Sequence, residues 1–272
     1  MTDYIQTQRH DNHICVLTFN RPEAYNALTL EMMHAFRLTI NNLASDKQLR
    51  VLVLTGVGEK SFCSGGDLIQ LSKRPSEQDA WEMIQLMGDA LLAMEHLPVP
   101  VIAAINGYAL GGGSEIALAC DMRIVDANVR MGMVQINMGL TPGWGAGQRL
   151  LRLVGYPQAM QLLLSGDRMQ ADDLQRLGLA NQVVDAGQAL PAALELAQDI
   201  ASKPPDVVRG IKALLQAGRT QPYAYALQTE RDLFPPLWAA PAHLEAVSAF
   251  LQRQLSARKQ PKPTNNDDKA SS

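Results

Sequence analysis

The sequence has few cysteines, few aromatic residues and no excess of positive charge. Its 272 residues include three cysteines, Cys15, Cys63 and Cys120, which lie far apart and form no CxxC pair. Neither a disulfide framework nor a zinc site is therefore predicted. Lysine and arginine number 24 against 27 acidic residues, which gives a net charge of −3. This balance lacks the basic footprint of a protein that binds nucleic acid.

Long hydrophobic runs are also missing. Segment 1–13 is polar and has no apolar signal-peptide core, and no stretch approaches the ~20 apolar residues that cross a bilayer. We therefore expect a cytoplasmic protein with neither a membrane nor a nucleic acid as partner. Because 47% of the residues are hydrophobic, the chain can nevertheless bury a large core.

Segments with strand and helix periodicity alternate over the first 190 residues. The patterns predict strands at 14–19, 50–55, 101–105 and 122–126, and helices at 28–45, 80–97, 159–165 and 171–177. Such alternation is typical of an α/β fold with mostly parallel strands.

The composition changes after residue 190, where strand-like runs of β-branched residues end. Four helices are predicted there, at 192–201, 206–217, 223–233 and 241–257. We predict an α/β core over 1–200, a helical C-terminal segment over 201–258 and a disordered tail over 259–272, since the tail is polar and contains proline.

The most informative segment is 101–121, in which an apolar strand runs into three glycines and a short helix. Glycines at a helix N-terminus leave backbone amides accessible, and such amides hold negative charge. Glu115 lies in the first turn of this helix and is a candidate acid, base or water holder, or simply an acid favoured by the helix dipole. Gly58–Ser61 and Gly143–Gly147 each lack the full spacing of a phosphate or dinucleotide loop.

Three segments in order, Arg21–Leu28, Phe62–Leu68 and the segment 101–121, resemble the crotonase, or enoyl-CoA hydratase/isomerase, superfamily. The resemblance covers about residues 10–250 and continues through Met138–Leu150 and Leu164–Asp167. It implies a spiral of repeated ββα units with C-terminal helices that mediate trimers, often paired into hexamers. It also implies an acyl-CoA thioester as substrate and no separate cofactor, because coenzyme A is part of that substrate.

The resemblance also implies roles for individual residues. The amides of Gly66 and Gly112 match the pair that holds the thioester oxygen as it becomes an enolate, and Glu115 matches the first catalytic glutamate of the hydratases. The family's CoA-contacting loops match three further positions, Ala24, Asp67 and Leu68. For Ala24 and Leu68 a buried structural role is the alternative.

One departure from the family decides the expected reaction. Hydratases carry a second glutamate four residues before the glycine that is Gly139 here, and this chain has Gln135. An amide cannot act as a general base. Decarboxylation of an alkylmalonyl-type CoA, such as ethylmalonyl- or methylmalonyl-CoA, needs no base, so we expect a lyase of this kind. The stretch around Trp144 resembles ethylmalonyl-CoA decarboxylases, and Trp144 is expected either to line the acyl pocket or to cover the core.

Two other hypotheses remain. The first is an enoyl-CoA hydratase or isomerase that acts with Glu115 alone. The second is a non-catalytic homologue that binds acyl-CoA or RNA, although the missing basic patch counts against RNA.

Overall fold

Strand–strand–helix units follow one another in the computed structural model, which describes residues 4–259. The chain divides into two compact units between Ala213 and Leu214. The strands are β1 Ile5–His10, β2 Ile14–Phe19, β3 Val51–Gly56, β4 Ser61–Cys63, β5 Val101–Ile105, β6 Tyr108–Leu110, β7 Met122–Asp126, β8 Arg130–Gly132, β9 Met169–Gln170 and β10 Gln182–Val184.

The helices, in chain order, are α1 Leu30–Ala44, α2 Leu68–Leu71, α3 Glu77–Glu95, α4 Gly112–Ala119, α5 Ala146–Val154, α6 Tyr156–Ser165, α7 Ala171–Arg176, α8 Ala189–Ser202, α9 Pro205–Thr220, α10 Tyr223–Trp238 and α11 Pro241–Lys259. Short 3-10 helices span Asp11–His13, Pro22–Ala24 and Val134–Met138.

From β3 to β8, successive strands alternate between two sheets. The larger sheet has the order β1-β2-β3-β5-β7-β10, and the smaller has the order β4-β6-β8-β9. The neighbours from β2 to β10 in the larger sheet are parallel, whereas β1 and β2 are antiparallel. The chain thus lays one strand in each sheet before a helix returns it, as in β3–β4–α2 and β5–β6–α4. The expected α/β spiral of ββα units is confirmed.

Strand β2 shows why these strands are continuous apolar runs. Cys15, Leu17 and Phe19 belong to the main core, whereas Ile14 and Val16 face a second cluster that includes the alanines of α8. Because both faces of the larger sheet are covered, successive side chains must all be apolar.

Two elements of the fold, strand β1 and helix α5, were not predicted from the sequence. Strand β1 was not predicted because four of its six side chains are exposed, which matches its place at the sheet edge. Helix α5 was not predicted either, because the glycines around its start indicate a loop. The four C-terminal helices lie close to their expected positions.

Several expectations are not decided by the fold. Apart from Lys259, the last residue of α11, the predicted tail lies outside the described residues. The proposed boundary at residue 200 stays a prediction. In the described part of the chain no helix is long and apolar enough to span a membrane, and no cluster of three or more side chains is arranged to bind a metal. The cytoplasmic location also stays a prediction.

Candidate active site

Gly66 lies in a turn that follows β4. Gly66 forms a parallel bridge with Leu28, in which the Leu28 amide donates to the Gly65 carbonyl and the Asp67 amide donates to the Leu28 carbonyl, both at 2.8 Å. This alternation directs the Gly66 amide away from Leu28. Within residues 4–259 the Gly66 amide has no hydrogen-bond acceptor.

Gly112 begins α4 immediately beside this turn. A Cβ atom on Gly65 would lie 3.0 Å from the Gly112 nitrogen, and a Cβ atom on Gly113 would overlap the Cys63 carbonyl group. Gly65 and Gly113 therefore allow the backbone of the turn after β4 to approach the start of α4 more closely than residues with a side chain would permit. Because Gly112 is the first helical residue, its amide has no intrahelical partner, and no other acceptor for it occurs in the described chain.

Buried contacts hold α4 in this position. The Ser114 hydroxyl donates to the carbonyl oxygens of Ala109 and Gly132, at 2.6 and 2.9 Å, and so joins α4 to β6 and β8. At the other end of α4, the Arg123 guanidinium donates to the carbonyl of Cys120 at 2.8 Å. Ser114 is thus engaged in backbone contacts rather than in a serine–histidine pair.

The Glu115 carboxylate is buried and has four donors around it. Its Oε2 accepts from the amides of Trp144 and Ala146 at 2.7 and 3.0 Å. Its Oε1 accepts from the Gly143 amide at 3.3 Å and from Gln135 Nε2 at 2.9 Å. A carboxylate offers about four lone-pair positions, so the protein itself uses the full acceptor capacity of Glu115.

Two opposing influences act on the pKa of Glu115. Burial is the larger influence and raises the pKa above its ordinary value, while the hydrogen bonds from Ala146, Trp144, Gly143 and Gln135 lower it. Burial disfavours the ionised form, and N–H donors favour it.

Gln135 occupies the position where the hydratases have their second glutamate, and the structure brings it against Glu115. It lies in the 3-10 helix Val134–Met138, which ends at Gly139 in the left-handed region with a φ of 70°. While Nε2 donates to Glu115, Oε1 is buried and has no partner in the described chain. The pair thus presents one carboxylate and one amide.

Trp144 packs against the start of α4. Its side chain is only 5% exposed, and a Cβ atom on Gly112 would overlap the indole ring. The indole therefore lies directly beside the α-carbon of Gly112, the residue whose backbone amide is a candidate oxyanion donor. Trp144 belongs to the main core, which is one of its two expected roles; the other, lining the acyl pocket, stays a prediction.

The three predicted CoA-contacting residues lie on the neighbouring loops. Asp67 caps α2 by accepting from the Gln70 amide at 3.0 Å and pairs with Arg21 Nη1 at 2.5 Å. The Gln70 amide and the Arg21 guanidinium hold its pKa below the ordinary value. Leu68 is exposed at the start of α2, and Ala24 is half-buried. Their contacts with CoA stay predictions.

A depression of about 480 Å³ opens beside the loop that carries Ala24. It is lined by Pro22, Asn26, Val57, Gly58, Glu59, Lys60 and Ser61. The Asn26 side chain shapes its floor by donating to the carbonyl oxygens of Val57 and Ser61, at 3.1 and 2.7 Å. This volume is within the range of small-molecule sites.

Comparison with known proteins assigns the family. The model of the enoyl-CoA hydratase/isomerase family matches residues 9–260. The chain belongs to the enoyl-CoA hydratase/isomerase family of enzymes. The resemblance seen in the sequence is thereby confirmed.

Its relatives carry two kinds of name. A short-chain-enoyl-CoA hydratase from Clostridium acetobutylicum is 35% identical, over 90% of this chain and 93% of its own length. An ethylmalonyl-CoA decarboxylase from Xenopus laevis is 33% identical, over 90% of this chain and 82% of its own. The crystal structure of an enoyl-CoA hydratase from Bacillus anthracis superposes with a TM-score of 0.88 at 32% identity, covering 92% of this chain and 97% of that one.

Proposed function

We propose that this protein is a lyase that decarboxylates an alkylmalonyl-type CoA thioester, with ethylmalonyl- or methylmalonyl-CoA as the substrate class. The proposal requires a site that stabilises a thioester enolate, an apolar wall beside the acyl group, and no general base. It needs no cofactor, because coenzyme A is part of the substrate.

The observation that carries the proposal is the saturated carboxylate of Glu115. Hydration of an enoyl thioester requires a carboxylate with a free oxygen lone pair to hold and deprotonate water. All four acceptor positions of Glu115 are taken by N–H donors, and its neighbour is an amide. This arrangement supports an anchoring role for Glu115, which holds the loop 143–146.

The proposed step uses the two unpartnered amides. The bond between the α-carbon and the substrate carboxylate breaks, CO2 leaves, and the electron pair moves into the thioester to form an enolate. The amides of Gly66 and Gly112 donate to the enolate oxygen, and a proton then adds to the α-carbon. Fixed donors of this kind contribute about 2.7–4 kcal/mol each to transition-state stabilisation.

The acyl group is proposed to lie against Trp144, and the CoA portion to pass along the loops of Ala24 and Leu68. An apolar surround disfavours the ionised substrate carboxylate more than the neutral CO2 that forms from it. The indole beside Gly112 therefore favours loss of charge at the place where the proposed bond breaks.

The test is a direct comparison of two reactions, decarboxylation and hydration. Purified protein is assayed for CO2 release from ethylmalonyl- and methylmalonyl-CoA and for hydration of crotonyl-CoA. We expect CO2 release, with crotonyl-CoA hydration slower by about 100-fold or more, because no general base is free. Fast hydration without CO2 release would overturn the proposal in favour of a hydratase. Binding of thioesters without turnover of any would overturn it in favour of a non-catalytic homologue.

The matched variant is Gln135→Glu, which restores the second carboxylate of the hydratases. It places two carboxylates at the 2.9 Å contact between residues 115 and 135, and this pair must retain a proton near neutral pH. We expect hydration of crotonyl-CoA to rise in this variant and CO2 release to fall. Unchanged hydration would show that the amide is not what limits that reaction.

We also propose a homotrimer or a dimer of trimers. Exposed apolar side chains on α5 and α6 support an interface between copies, among them Leu153, Tyr156 and Leu164. Light scattering on the purified protein tests the oligomer directly, and a monomer at micromolar concentration would contradict it.

A further inference from the structure

Arg149 is a buried cation on α5 that the proposed chemistry does not use. Its Nη1 donates to the Trp144 carbonyl oxygen at 2.6 Å, and its Nη2 donates to Glu95 Oε2 on α3 at 2.9 Å. The side chains of Arg149 and Glu95 are 7% and 16% exposed. An ion pair so far removed from water is favourable only when its geometry is good.

The guanidinium lies against the backbone of the same loop that Glu115 holds. A Cβ atom on Gly145 would lie 2.6 Å from Arg149 Nη1, and Gly145 has a φ of 102°. Glycine is therefore required there for both space and conformation. Glu115 accepts the amides of Trp144 and Ala146, while Arg149 binds the Trp144 carbonyl. The peptide group before Trp144 is thus held by the negative charge of Glu115, and the peptide group after it by the positive charge of Arg149.

The fixed backbone of Trp144 also determines where its indole lies relative to Gly112. Since the backbone of Trp144 is held at both its amide and its carbonyl, its indole is held against the Gly112 α-carbon. We infer that Arg149, oriented by Glu95, is a positioning residue that fixes the Trp144 indole beside the Gly112 amide and so sets the space open to the α-substituent of the acyl group. This inference rests on the proposed function, in which the Gly112 amide binds the thioester oxygen.

The hydrogen bonding of Arg149 supports a role in positioning Trp144, and not a role in stabilising the fold alone. Its Nε is buried and has no partner in the described chain, and a buried donor without a partner destabilises the folded state. Well-packed apolar residues often replace buried ion pairs without loss of stability. What an apolar residue cannot supply is the two-pronged geometry that joins Glu95 to the Trp144 carbonyl.

The test uses Trp144 as its own reporter. Trp81 and Trp238 are 57% and 58% exposed, so Trp81→Phe and Trp238→Phe leave the buried Trp144 as the single tryptophan. In this background Arg149→Met is expected to shift the emission of Trp144 to the red and to increase its quenching by acrylamide. Arg74→Met is the control, because the Arg74 guanidinium also binds two acceptors, the carboxylates of Asp79 and Glu82, but is exposed.

Kinetics supply the second readout. A loss of positioning costs roughly 100-fold in kcat, so we expect Arg149→Met to lower kcat with the parent's best thioester by about that factor, with a smaller change in KM. The preference between methylmalonyl- and ethylmalonyl-CoA is expected to move toward the larger substituent. Arg149→Lys, which keeps the charge without the fork, and Glu95→Gln are expected to show the same changes to a smaller degree.

The outcomes separate this inference from the proposed function. Unchanged Trp144 emission and quenching in Arg149→Met, Arg149→Lys and Glu95→Gln would overturn the inference. So would a changed emission with unchanged kcat and unchanged preference between the two thioesters. If Arg149→Met does not fold, the same measurements on Arg149→Lys and Glu95→Gln decide whether the inference holds. A parent protein that hydrates crotonyl-CoA fast and releases no CO2 would overturn the decarboxylase proposal, whereas the emission measurements would still decide the placement of Trp144.

Discussion

The candidate site contains two groups of backbone amides, and they differ in what they bind. The amides of Gly143, Trp144 and Ala146 converge on the Glu115 carboxylate. The amides of Gly66 and Gly112 have no acceptor among residues 4–259. Both groups are suited to hold negative charge. The protein fills one group with its own anion, and in the proposed function the other group binds the anion that forms on the substrate.

This difference teaches that a glutamate at the start of a glycine-rich helix need not activate water. When a carboxylate is saturated with N–H donors, its effect is to fix the loop that carries those donors. In the proposed function the groups that act on the substrate are then the backbone amides without a partner, because a fixed donor without an acceptor gains most from a new negative charge.

The largest expected effect comes from removing the Gly112 amide. Gly112→Pro deletes the N–H, and proline is tolerated at the first position of a helix. Because any Cβ at 112 overlaps the indole, the variant is made together with Trp144→Ala and compared with Gly112→Ala in the same background. We expect kcat to be about 100- to 1,000-fold lower with proline than with alanine.

The comparison between proline and alanine isolates the hydrogen bond, since both residues add a Cβ at the same place. Equal rates in the two variants would contradict the role of the Gly112 amide. The two groups of amides would then no longer differ in function.

The fold was largely predictable from the sequence, and the reason is visible in the strands. β2, β5 and β7 begin and end at the expected residues. Helix α3 begins earlier than the expected residue 80, because Ser76 and Asp79 form a capping box. Local chemistry of this kind is recorded in the sequence within a few residues.

The environment of Glu115 was not predictable in the same way. The resemblance implied that Gln135 replaces its partner, and the structure places the two side chains 2.9 Å apart. The three amides that saturate Glu115 come from a loop about thirty residues further along the chain. The family resemblance covered that segment but did not indicate that its amides would bind Glu115. Arg149 was missed because a lone arginine in a helix carries no local signal of burial.

The next largest effect is on stability, in Glu115→Gln. The remaining oxygen can keep the amides of Trp144 and Ala146, and the new amide can donate to Gln135 Oε1 once the Gln135 side chain flips. Only the Gly143 amide then lacks an acceptor, so we expect a loss of about 1–3 kcal/mol in the free energy of unfolding, measured in urea. Adding Gln135→Met removes the rescuing acceptor and should increase that loss. A Glu115→Gln protein that is fully stable but has lost turnover would show that the carboxylate acts chemically.

A smaller effect follows from the raised pKa of Glu115. In the unfolded chain this group ionises near its ordinary value of about 4.3, whereas the folded protein keeps the proton to higher pH. Between the pKa of Glu115 in the unfolded chain and its higher pKa in the folded protein, the folded state binds more protons than the unfolded state. The stability of the folded state therefore falls as pH rises through this range, by at most about 1.4 kcal/mol per pH unit. The check is urea unfolding of the parent and of Glu115→Gln from just below pH 4 upward. We expect the difference between them to shrink as pH rises; a growing difference would mean that the four N–H donors outweigh burial.

The smallest expected effect tests a second hydrogen-bonded carboxylate, that of Asp67, beside the unpartnered amide of Gly66. Asp67→Asn keeps the cap on α2, because asparagine is as good an N-cap as aspartate, and loses only the charge pair with Arg21. The pKa of Asp67 lies below its ordinary value, so the stability from this pair is present above that value and is lost as pH falls below it. Because the Arg21 guanidinium can still donate to the asparagine oxygen, at neutral pH we expect a loss of about 1 kcal/mol. KM for the CoA thioester should change by about threefold at most, or ~0.7 kcal/mol. A tenfold rise in KM would instead place the Asp67 carboxylate in contact with the substrate, and the side of the unpartnered amides would then contribute a charged side chain as well as backbone donors.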